Sequence, residues 1–138
     1  MNIGIAVDTE KGLLVPTLVD ADKLSLNEIS KKAKELAVAC QTGKATADML
    51  HGATFTVSNV GSYGVENFTP VINPPQTGIL GVDGITTRVR VVDGEIKTYQ
   101  AMGLSLTYDH RVVDGAPASR FLVDVKNTLE NFTVLLSK

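Results

Sequence analysis

The chain has 138 residues, 43% of them hydrophobic and 20% charged, with a formal net charge of −2. This balance predicts a single domain, residues 1–138, and it gives neither a basic surface for nucleic acid nor an apolar run long enough to span a membrane. The N-terminus lacks the regions of a secretory signal. A reducing compartment is therefore expected, the cytoplasm, or in a eukaryote the mitochondrial matrix.

The first sixty residues predict short strands around one helix. The stretches "NIGIAV" and "LLVPTL" are apolar and extended, and Pro16 in the second favours a bend or an edge position. From Ser25 to about Gln41 apolar residues recur at helical spacing, and Ser25 and Glu28 form the capping-box pattern. Cys40 lies on the apolar side of this helix, which favours a packed side chain over a nucleophile. "TFTVSNV" then alternates as a strand.

The second half predicts a loop, three strands and a closing helix. The loop "GSYGVENFTPVINPPQ" is rich in glycine, asparagine and proline. "TGILGV" and "TRVRVV" predict two short strands, and "EIKTYQAMGLSLTY" predicts a longer one. The closing helix is predicted from about Pro117, and its apolar side consists of Phe121, Leu122, Val125, Leu129 and Phe132.

The pentapeptide "RVVDG" occurs twice, at 90–94 and at 111–115, in different contexts. In the first copy, Asp93 and Gly94 lie between two strand patterns and predict a tight hairpin turn, because both turn positions favour positive φ. The second copy leads into a helix, and His110 stands shortly before its Asp114. A histidine at a strand end with an acidic residue close behind is typical of a positioned general base. Spacing alone leaves open the more frequent alternative, a satisfied core histidine.

A family resemblance rests on three stretches. "DHRVVDGAPASRFL" resembles the HxxxDG signature of dihydrolipoamide acyltransferases, the E2 components of 2-oxo acid dehydrogenase complexes. "NIGIAVDTEKGLLVPTL" and "GATFTVSNVGSYGVENFTPVINPPQTGILGV" resemble other family segments, in the family's order, so that the likeness runs from Asn2 to the C-terminus. The resemblance implies an α/β (α+β) fold similar to chloramphenicol acetyltransferase, a mixed sheet with flanking helices, here incomplete.

The resemblance also implies a reaction, acyl transfer between the dihydrolipoyl group and coenzyme A. Both are substrates, and no cofactor is expected to be bound covalently. His110 matches the signature histidine and would take the proton of the attacking thiol, since the thiolate is the nucleophile. Ser58 in "TVSNVG" matches the family's hydroxyl that donates to the oxyanion. From the residues alone, a turn-forming serine is the alternative. Asp114 would hold the loop that carries His110.

Two more residues are candidates for substrate binding. Asp8 matches an acidic position near the family's substrate channel, and an ordinary turn is its alternative. Asn59 follows Ser58, and its alternative is a role in shaping the loop. The sequence has no Cys/His cluster with metal spacing, so no metal site is predicted.

The family further implies an assembly. Its active site lies between neighbouring subunits of a homotrimer, the histidine of one chain facing the serine of the next, and trimers build larger cores that work with the E1 and E3 components. Family catalytic domains begin well before the segment that resembles Asn2 to Leu18, and the lipoyl and peripheral-subunit-binding domains have no counterpart here. We therefore expect the C-terminal portion of a catalytic domain. Two hypotheses stay open: an acyltransferase core, or a catalytically incompetent fragment with an assembly or structural role.

Overall fold

The computed structural model describes residues 1–135, which form a mixed five-stranded sheet, a separate two-stranded hairpin and α-helices beside them. The strands are β1 Ile3–Ile5, β2 Val7–Thr9, β3 Gly12–Leu14, β4 Thr17–Leu18, β5 Phe55–Asn59, β6 Gly78–Val92 and β7 Glu95–Tyr108. The helices are α1 Leu26–Gln41, α2 Gly115–Glu130 and α3 Phe132–Leu135, and short 3-10 helices cover Ala21–Lys23, Ala47–Leu50 and Gly61–Tyr63. The sheet order is β4-β1-β5-β6-β7, with β5 parallel to β1 and β6 and with β6 antiparallel to β7. The predicted mixed sheet with flanking helices is confirmed.

The N-terminal stretches contain more strands than the sequence predicts. "NIGIAV" divides after Ile5, whose N–H donates to the Pro16 carbonyl (2.9 Å), while the Ala6 N–H donates to the Val57 carbonyl (3.0 Å). Beyond this point β2 leaves the main sheet and pairs with β3. "LLVPTL" is likewise two strands, because the buried Pro16 has no N–H for a ladder and separates β3 from β4. The bend predicted at Pro16 is confirmed.

Helix α1 starts where the capping-box pattern predicts. The Ser25 Oγ accepts from the Glu28 N–H (3.4 Å) and the Glu28 carboxylate accepts from the Ser25 N–H (2.8 Å). The Cys40 side chain is buried, as predicted, and burial raises the pKa of its thiol above the ordinary value. Cys40 is thus a packing residue at neutral pH.

The two strands predicted from "TGILGV" and "TRVRVV" are one continuous strand, β6. Its pairing with β7 shifts between Val82 and Ile85, so a β-bulge interrupts the alternation that a single strand would show. The turn after β6 is the predicted hairpin: Asp93 has φ 55° and Gly94 has φ 80°. The first "RVVDG" is therefore explained by turn geometry alone.

Helix α2 begins at Gly115, earlier than the predicted start at Pro117. A proline is tolerated in a first helical turn because its absent N–H would have no partner in the helix. Phe121 of α2 packs edge-on against Phe55 of β5, with ring centroids 6.0 Å apart. The predicted apolar side of the helix is only partly covered, since Phe121, Leu129 and Phe132 stay exposed.

A buried carboxyl group lies at the bulge of β6. The Asp83 side chain is 4% exposed, and its Oδ1 has no hydrogen-bond partner within residues 1–135. Its Oδ2 occupies the space that a Cβ at Gly103 would need. Glycine at position 103 thus leaves room for the Asp83 carboxyl group.

Gly103→Ala should lower the free energy of unfolding by about 1 to 3 kcal/mol, because the new methyl group overlaps Asp83 and the packed bulge must shift. Urea denaturation measures this cost. In an Asp83→Ala background the same substitution should cost less than about 1 kcal/mol, since the overlapping atoms are gone. An equal cost in both backgrounds would show that Asp83 is not the obstacle.

Candidate active site

His110 lies in a tight turn between β7 and α2. The strand ends at Tyr108, and the next N–H, of Asp109, donates to the Thr77 carbonyl (2.9 Å). The Asp109 carbonyl then accepts from the N–H groups of Val112 (3.0 Å) and Val113 (3.1 Å), which closes the turn. The His110 side chain is 68% exposed, so the alternative of a core histidine is wrong.

The His110 imidazole faces one carboxylate of its own chain. Its Nδ1 lies 3.7 Å from Oδ1 of Asp114, and the Asp114 side chain is itself 85% exposed. This distance is too long for a hydrogen bond but short enough for electrostatic attraction. A proton on Nδ1 would face the carboxylate and leave the Nε2 lone pair free to accept a proton.

The carboxylate that braces this turn is Asp109. Arg111 donates to it from its backbone N–H (3.0 Å), from Nε (2.9 Å) and from Nη2 (2.6 Å). The side-chain hydrogen bonds from Arg111, followed by the one from its backbone, lower the pKa of Asp109 to about 2. This pair was not predicted from the sequence, although "DHR" shows an acid and a base on either side of His110. Within residues 1–135, the Asp114 carboxylate has no contact of this kind, and its proposed role in holding the loop stays a prediction.

Ser58 lies near the end of β5, on the opposite face of the strand from its neighbour Asn59. It pairs with Gly81 of β6, which in turn pairs with Ser105 of β7. A Cβ at Gly81 would overlap the ring of Phe68, so the loop that follows β5 covers this face closely. The Ser58 side chain is half-buried in this position.

The sheet keeps Ser58 and His110 of one chain apart. The two lie two strands apart in the sheet, which corresponds to about 10 Å at about 4.8 Å per strand. Along β7, the chain from Ser105 to His110 covers about 17 Å at about 3.4 Å per residue. The two side chains therefore do not meet within one chain.

Asp8 and Asn59 both lie next to the 3-10 turn that follows β5. The Asp8 carboxylate accepts from the Tyr63 hydroxyl (3.3 Å), and the Asn59 Oδ1 accepts from the Gly61 N–H (2.8 Å). Asn59 thus shapes the loop, the alternative that the sequence left open, and only its amide NH₂ group is available to a ligand. The structure places Asp8 and Asn59 on either side of the 3-10 turn Gly61–Tyr63, and the binding of substrate by either residue stays a prediction.

An apolar cavity of about 270 Å³ lies between α2 and the sheet, beside the His110 turn. Its lining includes Phe55, Leu106, Tyr108, Val113 and Phe121.

Within residues 1–135, no cluster of three or more His, Cys, Asp or Glu side chains could hold a metal ion. No helix in the same range is both long and apolar enough to cross a membrane.

The model of the family 2-oxoacid dehydrogenases acyltransferase (catalytic domain) matches residues 1–137. The chain belongs to this family. It is 48% identical over 135 residues to the Staphylococcus aureus dihydrolipoyllysine-residue acetyltransferase component of the pyruvate dehydrogenase complex, covering 98% of this chain and 31% of that protein. It is 49% identical over 131 residues to the Bartonella vinsonii subsp. berkhoffii succinyltransferase component of the 2-oxoglutarate dehydrogenase complex, covering 95% and 32%. The chain thus spans about a third of the length of these curated relatives.

Solved structures of the family have the same fold. The Azotobacter vinelandii dihydrolipoamide acetyltransferase (E2p) superposes with a TM-score of 0.93 at 41% identity, over 99% of this chain and 56% of that chain. A cubic core of the pyruvate dehydrogenase multienzyme complex gives a TM-score of 0.93 at 40% identity, with the same coverage. A truncated catalytic core from Thermoplasma acidophilum gives 0.82 at 43% identity, over 94% of this chain and 57% of that chain. The resemblance to the E2 acyltransferases and their fold is therefore confirmed.

Arg111→Gln should raise the pKa of Asp109 from about 2 toward its ordinary range, because the guanidinium hydrogen bonds are lost. The folded-state pKa lies below the unfolded value, so the pair contributes stability above about pH 4 and loses it as the pH falls toward 2. An NMR titration of the Asp109 carboxyl carbon measures the shift. Arg120→Gln on α2 is the matched control and should leave that titration unchanged. A low pKa that persists without Arg111 would contradict the assignment.

Proposed function

We propose that this chain is the C-terminal portion of an E2 catalytic domain that transfers an acyl group between a dihydrolipoyl group and coenzyme A. The observation that carries the proposal is an exposed imidazole, His110, that faces the Asp114 carboxylate in a chain of this family. Coverage of just over half of the solved relatives' chains supports the reading as a portion of the domain. The curated relatives, from Staphylococcus aureus and Bartonella vinsonii, are bacterial, so the proposed compartment is the cytoplasm.

The spacing of the candidate residues supports the same proposal. In the A. vinelandii enzyme a serine, a histidine and an asparagine were investigated for their role in the catalytic mechanism. Their separations along that chain equal those between Ser58, His110 and Asp114 here. Asp114 thus stands where that enzyme has an asparagine, whose side chain offers an oxygen acceptor of similar shape but no charge.

His110 is proposed as the general base. As the thiol sulfur attacks the thioester carbonyl, Nε2 takes the thiol proton, a new C–S bond forms and the carbonyl oxygen becomes an oxyanion. When this intermediate collapses, the original C–S bond breaks and the imidazolium returns the proton to the leaving thiolate. Asp114, facing Nδ1, stabilises the imidazolium between the two steps.

Ser58 is proposed as the oxyanion donor, contributed by a neighbouring copy. A hydroxyl that stabilises the oxyanion must lie within hydrogen-bond distance of the reacting carbonyl, and the Ser58 of the same chain is too far from His110. A homotrimer in which each copy supplies one half of every site satisfies this requirement. In the proposed complex this core works with E1 and E3 components.

His110→Ala should lower the rate of acyl transfer by about 10² to 10⁴, because the thiol loses its base. The assay follows transfer from acetyl-CoA and from succinyl-CoA to dihydrolipoamide, since the relatives include enzymes of both kinds. His51→Ala is the matched control and should change little, because His51 lies exposed in a loop after the second 3-10 helix. Near-normal turnover in folded His110→Ala protein would refute the base assignment.

Ser58→Ala should lower kcat by about 10² to 10³ with a smaller change in KM, because the lost hydrogen bond acts chiefly in the transition state. Mixing the His110→Ala and Ser58→Ala chains tests whether each active site is built from two copies. Chains with His110→Ala and chains with Ser58→Ala, unfolded together and reassembled, should recover activity at about a quarter of the sites if copies mix at random. A site within one chain would recover none.

The second candidate is a catalytically incompetent fragment that serves assembly. The fact that favours it is the coverage of the A. vinelandii structure, of which this chain matches 56%, so that a large part of that chain is not represented in these residues. This candidate predicts a self-associating chain whose acyl transfer does not exceed the uncatalysed rate with either acyl-CoA. Measurable transfer that His110→Ala abolishes would exclude it.

A further inference from the structure

Two carboxylates flank His110 along the chain. Asp109 stands directly before it, and Asp114 stands in the same turn at the start of α2. Within residues 1–135, the imidazole is in ion-pair contact with Asp114 alone, at 3.7 Å from Nδ1 to Oδ1. The carboxylate that is adjacent to the base in the sequence is thus not its partner in the structure.

Arg111 occupies both oxygens of the Asp109 carboxylate. Oδ1 accepts from the Arg111 backbone N–H (3.0 Å) and from Nε (2.9 Å), and Oδ2 accepts from Nη2 (2.6 Å). Because the guanidinium is planar, a two-point contact of this kind fixes the direction of the carboxylate as well as its distance. The charge of Asp109 is therefore held toward Arg111 and balanced there.

The pair adds little to the stability of the turn. The Arg111 side chain is 89% exposed, and ion pairs in water lose most of their attraction to solvation. The backbone of the turn is held by other hydrogen bonds, because the Asp109 N–H donates to Thr77 and its carbonyl accepts from Val112 and Val113. What Arg111 determines is where the charge of Asp109 lies.

Few other groups can influence the imidazole. The Tyr108 phenol ring packs against it, with ring centroids 5.7 Å apart. The neighbouring segments contain no Asp, Glu, Lys, Arg or His, namely residues 98–108 of β7, the loop 67–77 and residues 115–119 of α2. In the described part of the chain, the charged groups around the ring are thus Asp109, Arg111 and Asp114.

The number of free carboxylates beside the ring affects its use as a base. A general base accepts a proton only in its neutral form, and each nearby carboxylate stabilises the imidazolium. A second free carboxylate would keep the ring protonated to a higher pH. It would also compete with Asp114 for the Nδ1 proton, and so turn Nε2 away from a single direction.

We propose that Arg111 is a positioning residue for the base, because its hold on the Asp109 carboxylate leaves Asp114 as the one carboxylate that faces His110. The inference rests on the proposed function, in which Nε2 of His110 takes the thiol proton. Arg111 acts through Asp109 and does not take part in proton transfer itself. It sets which way the imidazole points and how much of it is neutral.

The test compares three variants of the 138-residue chain with the wild type. Arg111→Gln frees Asp109, and Arg111→Gln with Asp109→Asn removes both charges. Arg120→Gln, on the exposed side of α2, is the matched control. NMR follows the titration of the imidazole protons, with His51, the second histidine, as reference in the same spectrum. Far-UV circular dichroism checks that each variant is folded.

Arg111→Gln should raise the midpoint of the His110 titration by about half a pH unit at low salt, and less at high salt, because an exposed charge is screened. The acidic limb of the kcat/KM profile should move in the same direction. The double variant should return both to the wild-type values, and Arg120→Gln should change neither. A folded Arg111→Gln chain with an unmoved midpoint overturns the proposal, since the pair would then only support the turn.

Asp114→Asn gives a second test of which carboxylate faces the ring. In the wild type it should lower the His110 midpoint, because the imidazolium loses its partner. In the Arg111→Gln background it should lower the midpoint less, since the freed Asp109 takes over part of that role. Equal lowering in both backgrounds overturns the proposal, because Asp109 would not reach the imidazole even when free.

The NMR titration needs no turnover, so the two proposals can fail separately. A chain that transfers no acyl group but shows both midpoint changes refutes the proposed function and upholds the control of the imidazole by Arg111. A chain that transfers acyl groups through His110 while its midpoint ignores Arg111→Gln does the reverse.

Discussion

The antiparallel pairing of β6 with β7 is the constraint on which the rest of the structure depends. Its register runs from Gly78↔Tyr108 at one end to Val92↔Glu95 at the other. At the first end the chain leaves β7 into the turn that exposes His110. At the second end β6 and β7 continue as a pair past the end of β5 to the hairpin turn. A slip of one residue would exchange the faces of β6 and bring Arg88 and Arg90 to the side that now carries Val89 and Val91, and the tight turn at Asp93 and Gly94, both with positive φ, opposes such a slip.

The bulge in β6 separates two parts of the strand that have different surroundings. Up to Val82 the strand pairs on both sides and its side chains alternate between the two covered faces of the sheet. Beyond the bulge the alternation restarts at Ile85, which places Ile85, Val91 and Ile96 on one side of the paired strands. The carboxyl group of Asp83 is buried where the extra residue sits, in the space that Gly103 leaves. A residue with a side chain at position 103 would force that carboxyl group to move, so the identity of one residue in β7 is set by a residue in β6.

What the sequence predicts well is local. The capping box of α1 and the Asp-Gly turn each depend on residues within four positions of one another, and both are as predicted. The division of "NIGIAV" could not be predicted, because it follows from the hydrogen bond between Ile5 and Pro16, in strands that meet only in the fold. The sequence predicts two strands where β6 is one, because the bulge interrupts the alternation of side chains along the strand. His110 and Ser58 came from motif resemblance, whereas their separation depends on register across three strands. The Asp109–Arg111 brace depends on the shape of a turn that no spacing rule describes.

Because His110, the proposed base, is exposed, contact with a neighbouring copy would change its surroundings. An imidazole that is 68% exposed, beside a carboxylate that is 85% exposed, interacts through water, where electrostatic effects are weak. The attraction between His110 and Asp114 becomes stronger when a neighbouring surface excludes that water. A hydrogen-bond donor that is already fixed in place also stabilises an oxyanion most strongly when water is excluded. In the proposed assembly one contact supplies both the covering surface and the Ser58 hydroxyl.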